Sequence, residues 1–225
     1  MSSTLHPKTH DDRHLTDAEA EMPAYPVADH AWDHDPAESE EVAHAAGGER
    51  IDLRPVGPGD ADALQDFFRA LSDDARRSRF FRAVRELSPS LIHDFTHVDH
   101  HAQSALVATT RVEGVETIVG DARYAVAEPG AAEFAIAVAD HWRGRGVGRL
   151  LLSCLLCRAA REGVDRLFGD VLPANEAMQR LARSFGFTPV RAPAGGGLVR
   201  LELRLDTHRV AACLRDRLPE ARLAA

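Results

Sequence analysis

The spacing of apolar residues predicts a folded domain that begins near residue 50. Residues 51–54 alternate in the manner of a short strand. Apolar stripes with helical spacing then predict three helices, which begin at Asp60, Ser72 and Ser88, residue types that can cap a helix. Apolar runs bounded by turn residues follow, and they predict strands over residues 104–110, 117–126 and 133–139.

The second half of the domain alternates helices with strands. Its pattern predicts helices over residues 146–162 and 175–185, and strands over residues 166–172, 187–191 and 198–205. Early helices, an antiparallel meander and then alternating elements are typical of an α+β domain. The expected fold class is therefore α+β, with one mixed, mostly antiparallel central sheet flanked by helices. A last amphipathic stretch predicts a C-terminal helical extension over residues 206–225.

Residues 1–49 differ from the rest and are predicted to form a disordered tail. Their apolar residues have no period, prolines recur and acidic residues are frequent, so little apolar surface could be buried. Six of the 12 histidines lie here, some at spacings that suit metal ligands on a helix, but nothing else predicts a helix. The domain itself is then expected to span residues 50–205.

The formal net charge of −8 resides in the tail. The tail holds 12 acidic residues against Lys8 and Arg13, whereas residues 50–225 hold 23 acidic and 25 basic residues, a net charge of +2. A nearly neutral domain without a basic stripe does not favour nucleic-acid binding. There is no apolar run near the roughly 20 residues of a membrane span, no secretory segment and no disulfide framework among three cysteines. We therefore expect a cytoplasmic protein without a membrane partner.

The strongest chemical signal is a glycine-rich turn over residues 143–148, between a predicted strand and a predicted helix. Glycines let a ligand approach the backbone, and a helix N-terminus offers N–H groups and partial positive charge to a phosphate. A Walker loop needs a lysine in the turn, but Lys8 is the only lysine. A dinucleotide fingerprint needs a third glycine, and its position falls on Arg149 or Leu151.

The spacing Arg143-x-x-Gly146-x-Gly148 resembles the acyl-CoA loop of the GNAT family of N-acetyltransferases. The segment that begins at Asn175 is similar to the family's second cofactor segment, and the resemblance covers about residues 50–205. It implies the GNAT acyl-CoA N-acyltransferase fold, with loop amides that hold the pyrophosphate of coenzyme A. It also implies which residues contact acetyl-CoA, namely Ile136, Ala137, Val138, Arg143, Gly144, Arg145, Gly146, Val147, Gly148 and Asn175.

Short runs of residues in the first half of the domain indicate which branch of the family the chain resembles. They are similar to runs in the acetyltransferase domain of bacterial protein-lysine acetyltransferases, and include Arg54-Pro55, Phe67-Phe68, Leu71-Ser72 and Arg79-Phe80-Phe81. The resemblance implies an enzyme that moves an acetyl group from acetyl-CoA to a protein lysine. Such enzymes often carry a regulatory domain, and none is expected within residues 1–49.

Acetyl transfer needs an unprotonated amine, and Glu133 is the expected general base. On its predicted strand Glu133 shares a face with Ala135 and Ala137, which leave room for a slender ligand. The resemblance places a catalytic glutamate at this position. A solvated glutamate at the strand entry is the alternative, and the other candidate bases are Asp121, Asp140 and His141.

Other functions fit the same residues. The acceptor could be a small amine instead of a protein, or the domain could bind acyl-CoA without catalysis. Many relatives place a tyrosine, the general acid, where this chain has Ala182, so no acid is predicted. No metal is expected, because Cys154 and Cys157 lie among leucines of a predicted helix and the histidines at positions 97–101 lack the spacing of a metal site.

Overall fold

The computed structural model describes residues 41–99, 101–191 and 197–205. The strands are β1 (Glu41–His44), β2 (Arg50–Pro55), β3 (Gln103–Val112), β4 (Val115–Glu128), β5 (Ala131–Val138), β6 (Arg166–Val171), β7 (Thr188–Val190) and β8 (Val199–Arg204). The helices are α1 (Ala61–Ala70), α2 (Asp73–Phe80), α3 (Pro89–Thr96), α4 (Val147–Arg161) and α5 (Glu176–Ser184). Two short 3₁₀ turns span Pro58–Asp60 and Asp140–Trp142. The predicted C-terminal extension and the first 40 residues of the predicted tail lie outside the described residues.

All eight strands form one sheet in the order β1-β2-β3-β4-β5-β6-β8-β7. Every neighbouring pair is antiparallel except β5 and β6, which run parallel. The parallel pair is connected through α4, as a crossover between parallel strands requires. The α+β prediction with a mixed, mostly antiparallel sheet is confirmed.

Helices cover both faces of the sheet. On one face, α4 buries Leu151, Leu152 and Leu155 completely. On the other face, α1 buries Leu64 and Phe68 completely in a second apolar cluster that includes residues of α3. Full burial of one such side chain contributes roughly 1.5–3 kcal/mol. The helical spacing of these apolar residues is what orients each helix on the sheet.

In the structure residues 41–49, which the sequence pattern places in the tail, form a strand and the turn that connects it to β2. Strand β1 pairs antiparallel with β2 at the edge of the sheet, and Ala45, which follows it, is buried in the core. An edge strand is held by backbone hydrogen bonds and needs no apolar alternation of its own. The one large apolar residue of β1, Val42, is exposed, which is why the hydrophobic pattern did not indicate a strand.

Candidate active site

The candidate site lies where β5 and β6 diverge. The parallel pairing of these strands ends at Glu133 and Phe168, although β5 continues to Val138 and β6 to Val171. Beyond that point, the edge of β5 that faces β6 has no ladder partner among the described strands. Its peptide groups can therefore hydrogen-bond to an extended ligand that lies in the gap.

A cleft of about 1070 Å³ occupies this gap. Its walls are α2, β5, the glycine turn with the start of α4, the end of β6, and α5. It brings together most of the predicted site residues, namely Glu133, Ile136, Ala137, Val138, Arg143, Gly144, Gly146, Gly148 and Asn175. The side chains of Arg145 and Val147 do not line it, so at these two positions only the backbone could contribute to binding.

The glycine turn owes its shape to two backbone conformations that other residues rarely adopt. The angle φ is +73° at Gly144 and +92° at Gly146. These angles let the chain leave β5 and enter α4, which begins at Val147 and has 15 residues. The N–H groups of the first helical turn have no intrahelical acceptors and carry partial positive charge. The turn is thus suited to bind a phosphate group.

The two arginines of the turn have different surroundings. Arg143 lines the cleft, is about half exposed, and lies 3.1 Å from a carboxylate oxygen of Asp140. Arg145 does not line the cleft; it donates to Oε1 of Glu49 at 2.6 Å and lies over the ring of Trp142. Its carbonyl oxygen also accepts a hydrogen bond from Ala46 N–H at 3.0 Å. Arg145 therefore fastens the turn to the segment after β1.

Asn175 caps α5 and lines the cleft at the same time. Its side-chain oxygen accepts a hydrogen bond from Met178 N–H at 3.1 Å, the contact of an N-cap residue. Because the oxygen serves the cap, the side-chain nitrogen is the atom that can donate to a ligand.

Glu133 is half-buried on the wall of the cleft. The alternation of β5 is as predicted: Phe134 and Ile136 pack in the cluster beneath α4, whereas Ala137 belongs to the cluster on the other face. The register pairs Glu133 with Phe168, so the carboxylate lies at the last paired position before the strands diverge.

Burial raises the pKa of Glu133 above its ordinary value, and the nearby carboxylate of Asp170 raises it further. The positive charges of Arg200 and Arg79 oppose this shift. A carboxyl group with a raised pKa is a stronger base once ionised, which suits proton transfer near neutral pH.

The alternative carboxylates are engaged elsewhere. Asp121 is completely buried and ion-paired with Arg123, and it does not line the cleft. Asp140 accepts two hydrogen bonds from Ser72 and does not line the cleft either. Among the carboxylates considered from the sequence, Glu133 is thus the one placed on the cleft wall.

Several cleft residues were missed by sequence reasoning. Arg149 lines the cleft in the first turn of α4, donates to Ser184 at 3.4 Å and lies over Phe185. Its position directly after Gly148, the last glycine of the turn, could have indicated from the sequence that it lines the cleft. Asp170 also lines the cleft and pairs with Arg200 across β6 and β8. No local signal could find that pair, because the register of two strands brings it together.

No helix among the described residues is both long and apolar enough to cross a membrane. The same residues contain no group of three or more His, Cys, Asp or Glu side chains arranged to hold a metal ion. Cys154 and Cys157 are buried within α4, in agreement with the predicted packing role.

The sequence pattern of the Acetyltransferase (GNAT) family matches residues 64–187. The chain belongs to this family. The match spans most of the described domain, including β5, the glycine turn and α5, the elements that form the cleft. The chain is therefore an acyltransferase, and the GNAT family uses acetyl-CoA. The predicted fold and family are both confirmed.

Relatives from several bacteria agree with this assignment. An acetyltransferase of Pseudomonas aeruginosa is 31% identical over 147 residues, which are 65% of this chain and 79% of that protein. The acetyltransferase Pat of Mycolicibacterium smegmatis is 32% identical over 150 residues, 66% of this chain but only 44% of that protein. The crystal structure of the GNAT domain of S. lividans PAT has a TM-score of 0.70 and 31% identity, and covers 76% of this chain and 100% of that domain.

Proposed function

We propose that this GNAT protein acetylates protein lysine side chains, with Glu133 as the general base. The observation that carries the proposal is the position of Glu133. Its half-buried carboxylate lies on the cleft wall, at the start of the unpaired edge of β5 and on the strand that leads into the glycine turn. A base is thus held on the same strand that would align the acyl donor.

The donor fits the remaining walls of the cleft. The pyrophosphate of acetyl-CoA would bind the N–H groups at residues 143–148, where Gly144 and Gly146 expose the backbone. The pantetheine arm would lie along the edge of residues 136–138, since peptide groups there can pair with its amides. Asn175 would donate to it from the opposite wall.

Glu133 would supply the proton transfer that the acceptor needs. An ordinary lysine is neutral in only about one part in a few thousand at pH 7, given a pKa of about 10.4. In the reaction the amine nitrogen attacks the thioester carbon, a C–N bond forms, and the C–S bond breaks. The sulfur leaves with the bonding electrons as a thiolate, while Glu133 accepts the proton of the amine and passes it to solvent. Ala182, the position of the general acid in many relatives, offers no acidic group.

We take the wall of the cleft formed by helix α2 as the acceptor side, and its exposure favours a polypeptide substrate over a small amine. Three side chains that line the cleft at or next to this helix are exposed: Asp74, Arg77 and Phe81. A lysine side chain could extend from a protein surface resting on these residues to Glu133. The resemblance of the first half of the domain to protein-lysine acetyltransferases supports the same acceptor.

Labelled acetyl-CoA added to a lysate of the producing cell tests the acceptor class. We expect the protein to transfer label to protein bands, and exhaustive digestion with proteases to release it as N-ε-acetyl-lysine. Label confined to small molecules would show an amine acetyltransferase instead. Binding of acetyl-CoA without any transfer would show a binding module.

The two arginines of the glycine turn make a matched pair for the donor site. Arg143→Gln is expected to weaken coenzyme A binding about tenfold, the loss of one hydrogen bond to a charged group. Arg145→Gln should leave the Kd within about twofold and lower the free energy of unfolding by at most about 1 kcal/mol, as for an exposed ion pair. Calorimetric titration and denaturant unfolding of both variants measure these changes. A larger loss of affinity in Arg145→Gln would contradict the observed orientation.

A further inference from the structure

Asp140 connects two walls of the cleft that are 68 residues apart in the sequence. It lies in the 3₁₀ turn that follows β5. One carboxylate oxygen accepts a hydrogen bond from Ser72 N–H at 2.8 Å, and the other accepts one from the Ser72 hydroxyl, also at 2.8 Å. Because two donors of one residue meet two oxygens of one carboxylate, both the distance and the direction of Ser72 are fixed.

Arg143 is the third partner of this carboxylate. Its guanidinium lies 3.1 Å from Oδ1 of Asp140, and the same side chain lines the cleft. Burial raises the pKa of Asp140, but the hydrogen bonds from Ser72 and the charge of Arg143 together lower it below its ordinary value. The carboxylate is therefore ionised at neutral pH, and its hydrogen bonds are of the stronger, charge-assisted kind.

The contact with Asp140 is made by the residue that begins helix α2. Ser72 is its N-cap, and the same hydroxyl accepts a hydrogen bond from Ala75 N–H at 3.3 Å. The helix has eight residues, fewer than an isolated helix needs to be stable in water. Its inner side chains line the acceptor side of the cleft, among them Ser78 and Arg79.

We infer that Asp140 is a positioning residue that joins the glycine turn to α2, so that coenzyme A bound at the turn tightens the helix on the acceptor side. The inference rests on the proposed function only in taking residues 143–148 as the coenzyme A site. A ligand that orders Arg143 also orders the carboxylate it contacts, and Ser72 transmits this order to α2. Asp140 thereby links occupancy of the donor site to the shape of the acceptor site.

Hydrogen exchange of the α2 amides, with and without saturating coenzyme A, tests this link without knowledge of the acceptor. In the wild type we expect coenzyme A to slow exchange at residues 76–81 about tenfold, equivalent to one hydrogen bond to a charged group. Ser72→Ala should reduce that slowing to less than about twofold, because the hydroxyl bond to Asp140 and the cap are both lost. Ser72→Thr keeps a hydroxyl and should restore it. The Kd for coenzyme A in both variants should stay within about threefold of the wild type, since neither touches the turn.

Ser88→Ala is the matched control. Ser88 caps α3 with the same geometry, its hydroxyl accepting from Leu91 N–H at 3.3 Å, but α3 is not joined to the glycine turn through this residue. This variant should loosen α3 and leave the coenzyme A effect on α2 unchanged. A merely structural role for Ser72 would likewise raise exchange in α2 while leaving the effect of coenzyme A intact.

Asp140→Asn is a second variant that tests the link between the glycine turn and α2. It removes the charge and one acceptor, so the slowing at α2 should fall below about threefold while the fold is retained. If coenzyme A binds the wild type and α2 does not respond, or if Ser72→Ala responds as the wild type does, the link is refuted and the proposed function stands. Failure of the wild type to bind coenzyme A at all would refute the donor site, and the link with it.

Discussion

Replacement of Glu133 by glutamine is expected to lower kcat/KM for acetyl transfer by about 10²–10⁴-fold, the usual contribution of a general base. The change keeps the size and the hydrogen-bonding shape of the side chain but removes its ability to accept a proton. Affinity for coenzyme A should stay within about threefold, because Glu133 precedes the strand edge and the turn that would bind it.

The pH profile gives this prediction a distinctive signature. Because the pKa of Glu133 is raised, the carboxyl group is protonated at pH values at which an ordinary glutamate is already ionised. The wild-type kcat/KM should therefore fall as the pH drops through that raised pKa, and the residual activity of Glu133→Gln should lack this limb. Equal activity of variant and wild type across the range would exclude Glu133 as the base.

A matched control exists on the same face of the sheet. Glu202 of β8 lies opposite Phe168 of β6, forms an ion pair with Arg166 at 2.9 Å and does not line the cleft. Glu202→Gln makes the same chemical change and should leave kcat/KM within about twofold.

Stability provides a second check on Glu133, because a carboxyl group whose pKa is raised by folding destabilises the folded state above that pKa. Glu133→Gln should thus be at least as stable as the wild type at pH 8.

The elements of the domain were predictable because local pattern and tertiary packing agree. The helix expected over residues 146–162 is α4, Val147–Arg161, since its apolar residues both follow the helical period and fill the core. The glycine turn was also predictable, because positive φ angles at Gly144 and Gly146 require a residue without a side chain.

Features that depend on register or on competition between contacts were not predictable. The pairing of Asp170 with Arg200 arises from the alignment of β6 and β8. Asp60 was expected to cap α1, but its carboxylate binds Arg54 and the N–H of Gly57 instead. A two-fold hydrogen bond to a guanidinium is stronger than a cap contact, and the sequence pattern does not reveal that the arginine is within reach.

The same limit applies to Asp121, a candidate base in the sequence and a structural residue in the fold. Its side chain is completely buried in β4, where Arg123 donates to it through Nε at 3.1 Å and through Nη2. The guanidinium lies 3.7 Å from the centre of the Phe95 ring and donates to the Phe95 carbonyl. The pair thus joins β4 to α3.

Arg123→Met should accordingly lower the free energy of unfolding by about 3–5 kcal/mol, because it leaves a buried carboxylate without its partner. Asp121→Asn in the same chain removes the remaining charge and should recover at least about 1 kcal/mol of that loss. Denaturant unfolding of both single variants and the double variant gives the coupling energy directly. If the two losses simply add, the ion pair is not the origin of the stability. A recovery in the double variant locates the cost of Arg123→Met in the unpaired charge of Asp121, and so identifies Asp121 as a carboxylate whose pairing with Arg123 stabilises the fold.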